Sequence, residues 1–153
     1  MDIEIKEEKI LQIMGEIEEI GKRNYEEAGF SSCLGEMDIN KEQYALLQDN
    51  GNLFFFSFRK GGKLVGYAFY FFARSYMGKN YLAENGAFYL VPEERKGFTA
   101  NKLLASLEKL LAEKGVQYLM HRTRTAQDLS HFFERAGFEL TEKIYSKILT
   151  LGV

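Results

Sequence analysis

The sequence predicts a mixed α/β fold, a single β-sheet with helices on both faces. Three observations lead there. Two helix-like segments open the chain, a β-hairpin follows, and the remainder alternates strand, helix, strand, helix, strand. Apolar residues recur at helical spacing in the first kind of segment and form short aromatic-rich runs in the second. The chain has 153 residues, a length at which one domain buries roughly 70% of the surface its unfolded form exposes, so it needs no staple.

Glu7 to Ala28 reads as a helix, because Ile10, Ile13, Met14, Ile17 and Ile20 fall on one side and Gly29 can end it. Ser31 to Asp38 reads as a loop. Asn40 to Gln48 reads as a short helix with Asn40 as N-cap and Gln43 reaching back to it. Leu53 to Phe58 and Leu64 to Ala73 read as paired strands, joined by a turn over Arg59-Lys60-Gly61-Gly62-Lys63. After a loop from Ser75 to Lys79, Tyr81 to Val91 reads as a third strand, stopped by Pro92, the only proline. Thr99 to Lys114 is the best-defined helix, with Ala100, Leu103, Leu104, Leu107, Leu110 and Leu111 along one stripe and Gly115 at its end. Val116 to Met120 reads as a short strand. Thr125 to Arg135 reads as a helix with a capping box from Thr125 to Asp128, and Phe138 to Leu149 holds the last strand. No repeat or linker divides the chain, so residues 1–153 read as one domain, with helices over 1–50 and the sheet over 53–149.

Composition excludes several classes. A net charge of −2 provides no global basic field to recruit nucleic acid. Cys33 is the only cysteine, so an internal disulfide is impossible, and a lone thiol behind a charged N-terminus unlike a signal peptide implies a cytoplasmic protein. No stretch reaches the roughly 18 apolar residues of a membrane span. His121 and His131 share no metal-ligand spacing with Cys33, so no metal site is expected. Among them, His121 at a strand end is a site candidate, whereas His131 reads as a surface residue and Cys33 has no obvious base nearby. The runs Phe54-Phe55-Phe56 and Phe69-Tyr70-Phe71-Phe72 read as central strands buried on both faces, with an acceptor cleft or a homodimer seam as their other uses.

The segment most informative for chemistry runs from Tyr89 to Leu104. A strand ends at a proline, a short basic loop with a glycine follows, and an amphipathic helix begins. The first turn of a helix leaves up to four N–H groups without intrahelical partners, all at the positive end of the helix dipole. Arg95 and Lys96 add charge there, and Gly97 allows close backbone approach, so a pyrophosphate is a natural guest. The plain alternative is a strand-to-helix turn with a solvated basic loop.

Here the chain resembles the GNAT superfamily of N-acetyltransferases. The family's phosphate loop reads Arg/Gln-x-x-Gly-x-Gly/Ala; Arg95 and Ala100 match its ends, while Phe98 stands where the middle glycine is expected and Gly97 lies one residue earlier. The likeness extends to Gly62-Lys63-Leu64-Val65-Gly66-Tyr67, to Glu113-Lys114-Gly115-Val116 and to Phe132-Phe133-Glu134-Arg135-Ala136-Gly137-Phe138. It is nearest to a subset often seen in phage and prophage proteins, through Tyr-Leu-x-Pro-Glu-x-Arg-Lys-Gly and the closing Glu-Arg-x-Gly-Phe-Glu…Tyr-Ser-Lys. The resemblance implies a mixed, mostly antiparallel sheet of six to seven strands with about four helices on both faces. It also implies acetyl-CoA as co-substrate, held by the backbone of Leu90 and Val91 and by Arg95, Lys96, Gly97, Phe98, Thr99, Ala100 and Asn101. The basic run from His121 to Thr125 reads as a solvated loop that could also meet an adenosine phosphate or an acidic acceptor.

Acetyl transfer to an amine requires the neutral amine. A free lysine amine has a pKa near 10.4, so at pH 7 only about one in 2,500 is neutral, and a proton acceptor is needed. Glu84 lies eleven residues before Arg95 on the third strand, where the resemblance puts the family's glutamate base. On an ideal strand it would share a face with Gly86, Phe88 and Leu90. The family's tyrosine acid falls at Phe133, which has no proton to give; Tyr145 on the last strand is the substitute candidate. The function implied is transfer of an acetyl group from acetyl-CoA to a small-molecule or protein amine. The alternative is a catalytically weak binding or effector protein of phage type that recognises a host protein.

Overall fold

The computed structural model describes residues 2–150; Met1 and 151–153 lie outside the described residues. Strands β1 (Glu4–Glu7), β2 (Leu53–Lys60), β3 (Lys63–Arg74), β4 (Tyr81–Leu90) and β5 (Tyr118–Met120) form one sheet in that order. The first three pairings are antiparallel, and β5 joins β4 in parallel through Leu82–Tyr118, Ala83–Leu119 and Glu84–Met120. The helices are α1 (Met14–Glu27), α2 (Ser31–Leu34), α3 (Lys41–Asp49), α4 (Thr99–Glu113) and α5 (Ser130–Arg135).

Alternation along β2 and β3 builds a core on each side. Phe55, Tyr67 and Phe69 stack on one another beneath α1 and α3. On the other side Lys114, at the end of α4, sits over the Phe54 ring, and Phe132 of α5 stacks on Phe88. Phe55, Phe56, Phe58 and Tyr70 are each almost fully buried, as the two-sided reading of the phenylalanine runs requires.

The mixed sheet and its two helical faces agree with the expectation, but the described residues hold five strands and five helices rather than six to seven and about four. The differences have physical causes. The first residues pair as β1 with β2, because Ile5 alternates with charged neighbours at strand spacing; the helix then starts at Met14, after a turn of 3-10 helix. Ser31–Leu34 closes one helical turn where a loop was expected. Asn40 does cap its helix, accepting from the Gln43 amide. The hairpin turn shrinks to Gly61-Gly62, and Arg59 and Lys60 join the strand. No helix starts at Thr125: the Thr123 hydroxyl accepts from the Leu129 amide, Asp128 accepts from Ser130, and the helix begins only at Ser130. Residues 138–149 form no strand, and every residue from 139 to 150 is exposed.

Arg59 illustrates what charge can do inside such a fold. Its side chain is 9% exposed and binds Glu8, Glu16 and the Gly62 carbonyl. Glu8 also accepts from Ser57. One guanidinium therefore joins the end of β1, the first turn of α1 and the hairpin. Burial pushes Glu8 up, but the hydrogen bonds from Arg59 and Ser57 outweigh it and hold its carboxyl below the usual range. Arg59→Met would strand two carboxylates, one of them largely buried. It is expected to cost about 3 kcal/mol and lower Tm by roughly 6–12 °C, measured by thermal melting.

Candidate functional site

One residue sets the geometry of β4. Phe69 pairs with Ala87 and Tyr70 pairs with Asn85, so Gly86 is an inserted residue, a β-bulge. A Cβ at Gly86 would lie 1.8 Å from Cε2 of Phe69, so only glycine fits under that ring. The insertion reverses the strand's alternation. Glu84 pairs with Phe71 and so joins the face of Ala87 and Tyr89, not that of Phe88 and Leu90 as ideal alternation predicts.

That face carries a cleft of about 700 Å³ between α1, the 35–40 segment, α3 and the sheet. Tyr44, Phe69, Phe71 and Met37 are among its walls, and Gly86 and Ala87 lie in its floor. Glu36 and Asp38 are the only charged residues lining it among the described residues. Tyr67 is buried beneath, its hydroxyl accepting from Asn24, and burial pushes its phenol up to about 12.

Beyond the bulge, β4 parts from β5. The last paired residues are Glu84 and Met120; past them the Asn85 side chain spans the opening, accepting from the Arg122 amide at 2.7 Å and donating to the Arg122 carbonyl. The far half of β4 then has a free edge. Val91 donates to the Val65 carbonyl, so Leu90, opposite Gly66, turns its own amide and carbonyl away from β3, the carbonyl accepting from the Arg95 guanidinium and the amide left unpaired. Phe88 also turns away from β3, by alternation. Val91, by contrast, has both backbone groups engaged, its carbonyl accepting from the Glu94 amide. The backbone groups left unpaired along this edge are therefore those of Phe88 and the Leu90 amide, while both of Val91's are engaged.

At the end of this gap stands the loop before α4. The amides of Gly97, Phe98, Ala100 and Asn101 have no acceptor among the described residues, and no side chain caps the helix. Thr99 and Lys102 donate to Lys96 and Phe98. Gly97 has φ +54°, with nothing within 4 Å of where a Cβ would stand. Phe98 is 75% exposed, so its ring leaves the corner open. The cradle fits a diphosphate.

Arg95 does something other than guard that mouth. Its guanidinium turns inward, donating to the Leu90 carbonyl at 2.7 Å and to Glu27 at 2.7 Å, and lies over the Tyr89 ring. Glu27 also accepts from the Tyr89 hydroxyl and from Gln127. Burial raises Glu27, but the bonds from Tyr89 and Arg95 hold it below the usual carboxylate range. The hub fastens the end of α1 to β4 and to the 123–128 loop. Lys96 stays exposed and pairs with no carboxylate among the described residues.

The catalytic candidates separate. Glu84 accepts from Arg122 at 3.0 Å. Tyr145 is 89% exposed and stands on no strand. Phe133 is buried against His121, ring centroids 4.7 Å apart. His121 binds the Tyr70 hydroxyl through Nε2 at 3.1 Å, and its buried Nδ1 has no partner among the described residues. Arg124 donates to the Ala28 carbonyl and lies over the Phe30 ring, so the basic run is partly built into the fold. Among the described residues no cluster of three metal-ligating side chains occurs, and no helix is long and apolar enough to cross a membrane. Sequence reasoning missed Glu27 and the cleft, which bring together distant segments. It also missed the bulge, although an isolated glycine inside a strand is its usual sign.

The model of the Acetyltransferase (GNAT) family matches residues 16–138. Among solved structures, an aminoglycoside acetyltransferase from an uncultured soil metagenomic sample, in complex with sisomicin, superposes with TM-score 0.73 at 16% identity, over 98% of this chain and 97% of that one. A ribosomal-protein-alanine N-acetyltransferase from Brucella melitensis gives 0.72 at 15%, over 96% and 99%. A predicted acetyltransferase from Clostridium acetobutylicum, solved with acetyl-CoA, gives 0.70 at 13%, over 95% of each chain. At such identities the likeness is one of fold. No curated protein matches by sequence.

Burial pushes His121 down to about 4, from the 6.5 of a free imidazole. The unfolded chain therefore takes up a proton near pH 6.5 that the folded chain refuses until about 4. Stability contributed by the neutral ring is full above pH 6.5 and falls as pH drops to 4. Denaturant melts between pH 7 and 4.5 are expected to show a loss of about 2 kcal/mol that His121→Phe removes.

Proposed function

The chain belongs to the acetyltransferase (GNAT) family, and from that premise we propose that it moves an acetyl group from acetyl-CoA to a primary amine carried on an apolar body. The observation that carries the reading is a run of unpaired backbone groups along one strand and the loop that follows it: the amides of 97, 98, 100 and 101, and before them the edge of Leu90 and Phe88, on the same strand as Gly86, which lines the cleft.

Each part has a physical role. The four amides and the exposed Lys96 would hold the diphosphate, and Leu90 and Phe88 would bind the pantetheine amides as an added strand. Acetyl-CoA supplies an activated thioester carbonyl. The amine nitrogen bonds to that carbon as the carbon–sulfur bond breaks, and the amine gives up one proton. Glu84, on the cleft's side of the sheet because of the bulge, is the proposed proton acceptor, with Arg122 fixing its orientation. Phe133 has no phenol to donate, so the sulfur leaves as a thiolate and takes up its proton from water. Holding the two reactants together would supply most of the rate.

The cleft's chemistry supports the acceptor class. Its walls are mostly aromatic and aliphatic with Asn24, Asn40 and Gln43 among them, and among the described residues its charged lining is Glu36 and Asp38, with no Lys or Arg. A cationic amine on an apolar body meets both features; an anionic acceptor meets neither. The phage and prophage likeness rests on sequence motifs alone.

Acetyl-CoA at 100 times its Kd is expected to stabilise the fold by about 2.7 kcal/mol, roughly 5–11 °C in Tm. Thiol release should rise with 2-phenylethylamine and stay at background with an amino dicarboxylate. Glu84→Gln should lower kcat on the order of 100-fold while leaving the thermal shift intact. No thermal shift at millimolar acetyl-CoA defeats the donor assignment. A shift without thiol release from any amine favours a binding protein. Undiminished turnover in Glu84→Gln removes that residue from the mechanism.

A further inference from the structure

The cleft separates its charge from its rings. Glu36 and Asp38 line it from the 35–40 segment, and both are exposed, so they stand at its rim. Among the described residues no cation pairs with either. The segment is tied at both ends: the Tyr25 hydroxyl donates to the Gly35 carbonyl at 3.0 Å, and Asn40 caps α3. The walls are rings. Tyr44 meets Phe69 edge-on, and Phe69 meets Phe71 edge-on, with centroids 5.5 and 5.8 Å apart. Such rings cover methylene groups and also accept a cation near their faces. Gly86 and Ala87 lie in the floor, on the strand that carries Glu84.

These features make opposite demands on an amine. The nitrogen that attacks the thioester must be neutral, with its proton given up towards Glu84. A pair of carboxylates favours the ammonium form of any amine it meets. A nitrogen held between Glu36 and Asp38 is therefore kept from attacking. One molecule with two amino groups meets both demands, one nitrogen at the floor and one at the rim.

We infer that the acceptor is an aliphatic α,ω-diamine whose second amine stays protonated between Glu36 and Asp38 while the first is acetylated. The inference rests on the proposed function and names its acceptor. At the reacting end the nitrogen–carbon bond forms, the carbon–sulfur bond breaks and one proton leaves towards Glu84; at the rim no proton moves. The product carries a neutral amide at one end. Turned round in the cleft it offers the rim no cation, so acetylation stops after one transfer. The dimensions agree: a sphere with the cleft's volume of about 700 Å³ is about 11 Å across. Extended hexane-1,6-diamine spans about 9 Å between its nitrogens.

The test sets three probes of one length against the full chain with acetyl-CoA: hexylamine, hexane-1,6-diamine and 6-aminohexanoate, with thiol release as the readout. kcat/KM for the diamine is expected to exceed that for hexylamine about 10-fold, mostly through KM, since each exposed ion pair contributes up to about fivefold. 6-Aminohexanoate, which brings a carboxylate to the rim, should be the poorest of the three. Mass spectrometry should find the diamine acetylated once. In the double substitution Glu36→Gln, Asp38→Asn the diamine's advantage over hexylamine should fall towards parity. Both side chains are exposed, so these changes do not threaten the fold. Hexylamine turned over as well as the diamine overturns the inference and leaves acetyl transfer standing. So does an advantage that survives the double substitution, or a diamine acetylated twice at equal rates. Thiol release from none of the three overturns the inference and the proposed function together.

Discussion

Gly86 adds one residue to β4 that β3 does not answer, and the face presented by every residue before it depends on that mismatch. A strand's side chains alternate, so a single insertion exchanges the two faces for all residues before it. Glu84 comes to the cleft side by this means alone. The Phe69 ring occupies the space a larger residue would need, so ring and glycine specify each other. The bulge also stands near the point where β4 leaves β5, and the cleft floor and the open strand edge therefore meet there.

The second constraint is the corner before α4. Helix N-termini always leave amides to satisfy, and here four remain free because no side chain caps them. Phe98 does not obstruct the corner, because its ring points to solvent. Arg95 contributes rigidity. By holding the Leu90 carbonyl and Glu27 together it fixes the end of β4 against α1, and so fixes the distance between strand edge and loop. Preorganisation of this kind lowers the ordering cost of binding a long, flexible co-substrate.

The sequence made the central elements legible and the joining of distant ones illegible. The hairpin, the strand ending near Pro92 and the helix from Thr99 were readable because each carries its own periodicity and its own punctuation. β1 was hidden, since a four-residue strand with three charges has almost no apolar signal. The capping box at Thr125 misled because Asp128 caps Ser130 instead, two residues on. In the site, the loop from Arg95 to Asn101 was found by its local pattern. The face of Glu84 was misread because alternation was counted through the bulge. Glu27 could not have been found, since its partners Tyr89, Arg95 and Gln127 lie 62 to 100 residues away.

Amide chemical shifts report directly where a diphosphate and its arm would lie. On titrating coenzyme A into ¹⁵N-labelled protein, the largest shifts should fall on the amides of Gly97, Phe98, Ala100, Asn101, Leu90 and Phe88, with Val91 little moved because its amide already binds Val65. Saturating shifts confined to other parts of the surface, with those amides still, would contradict that placement.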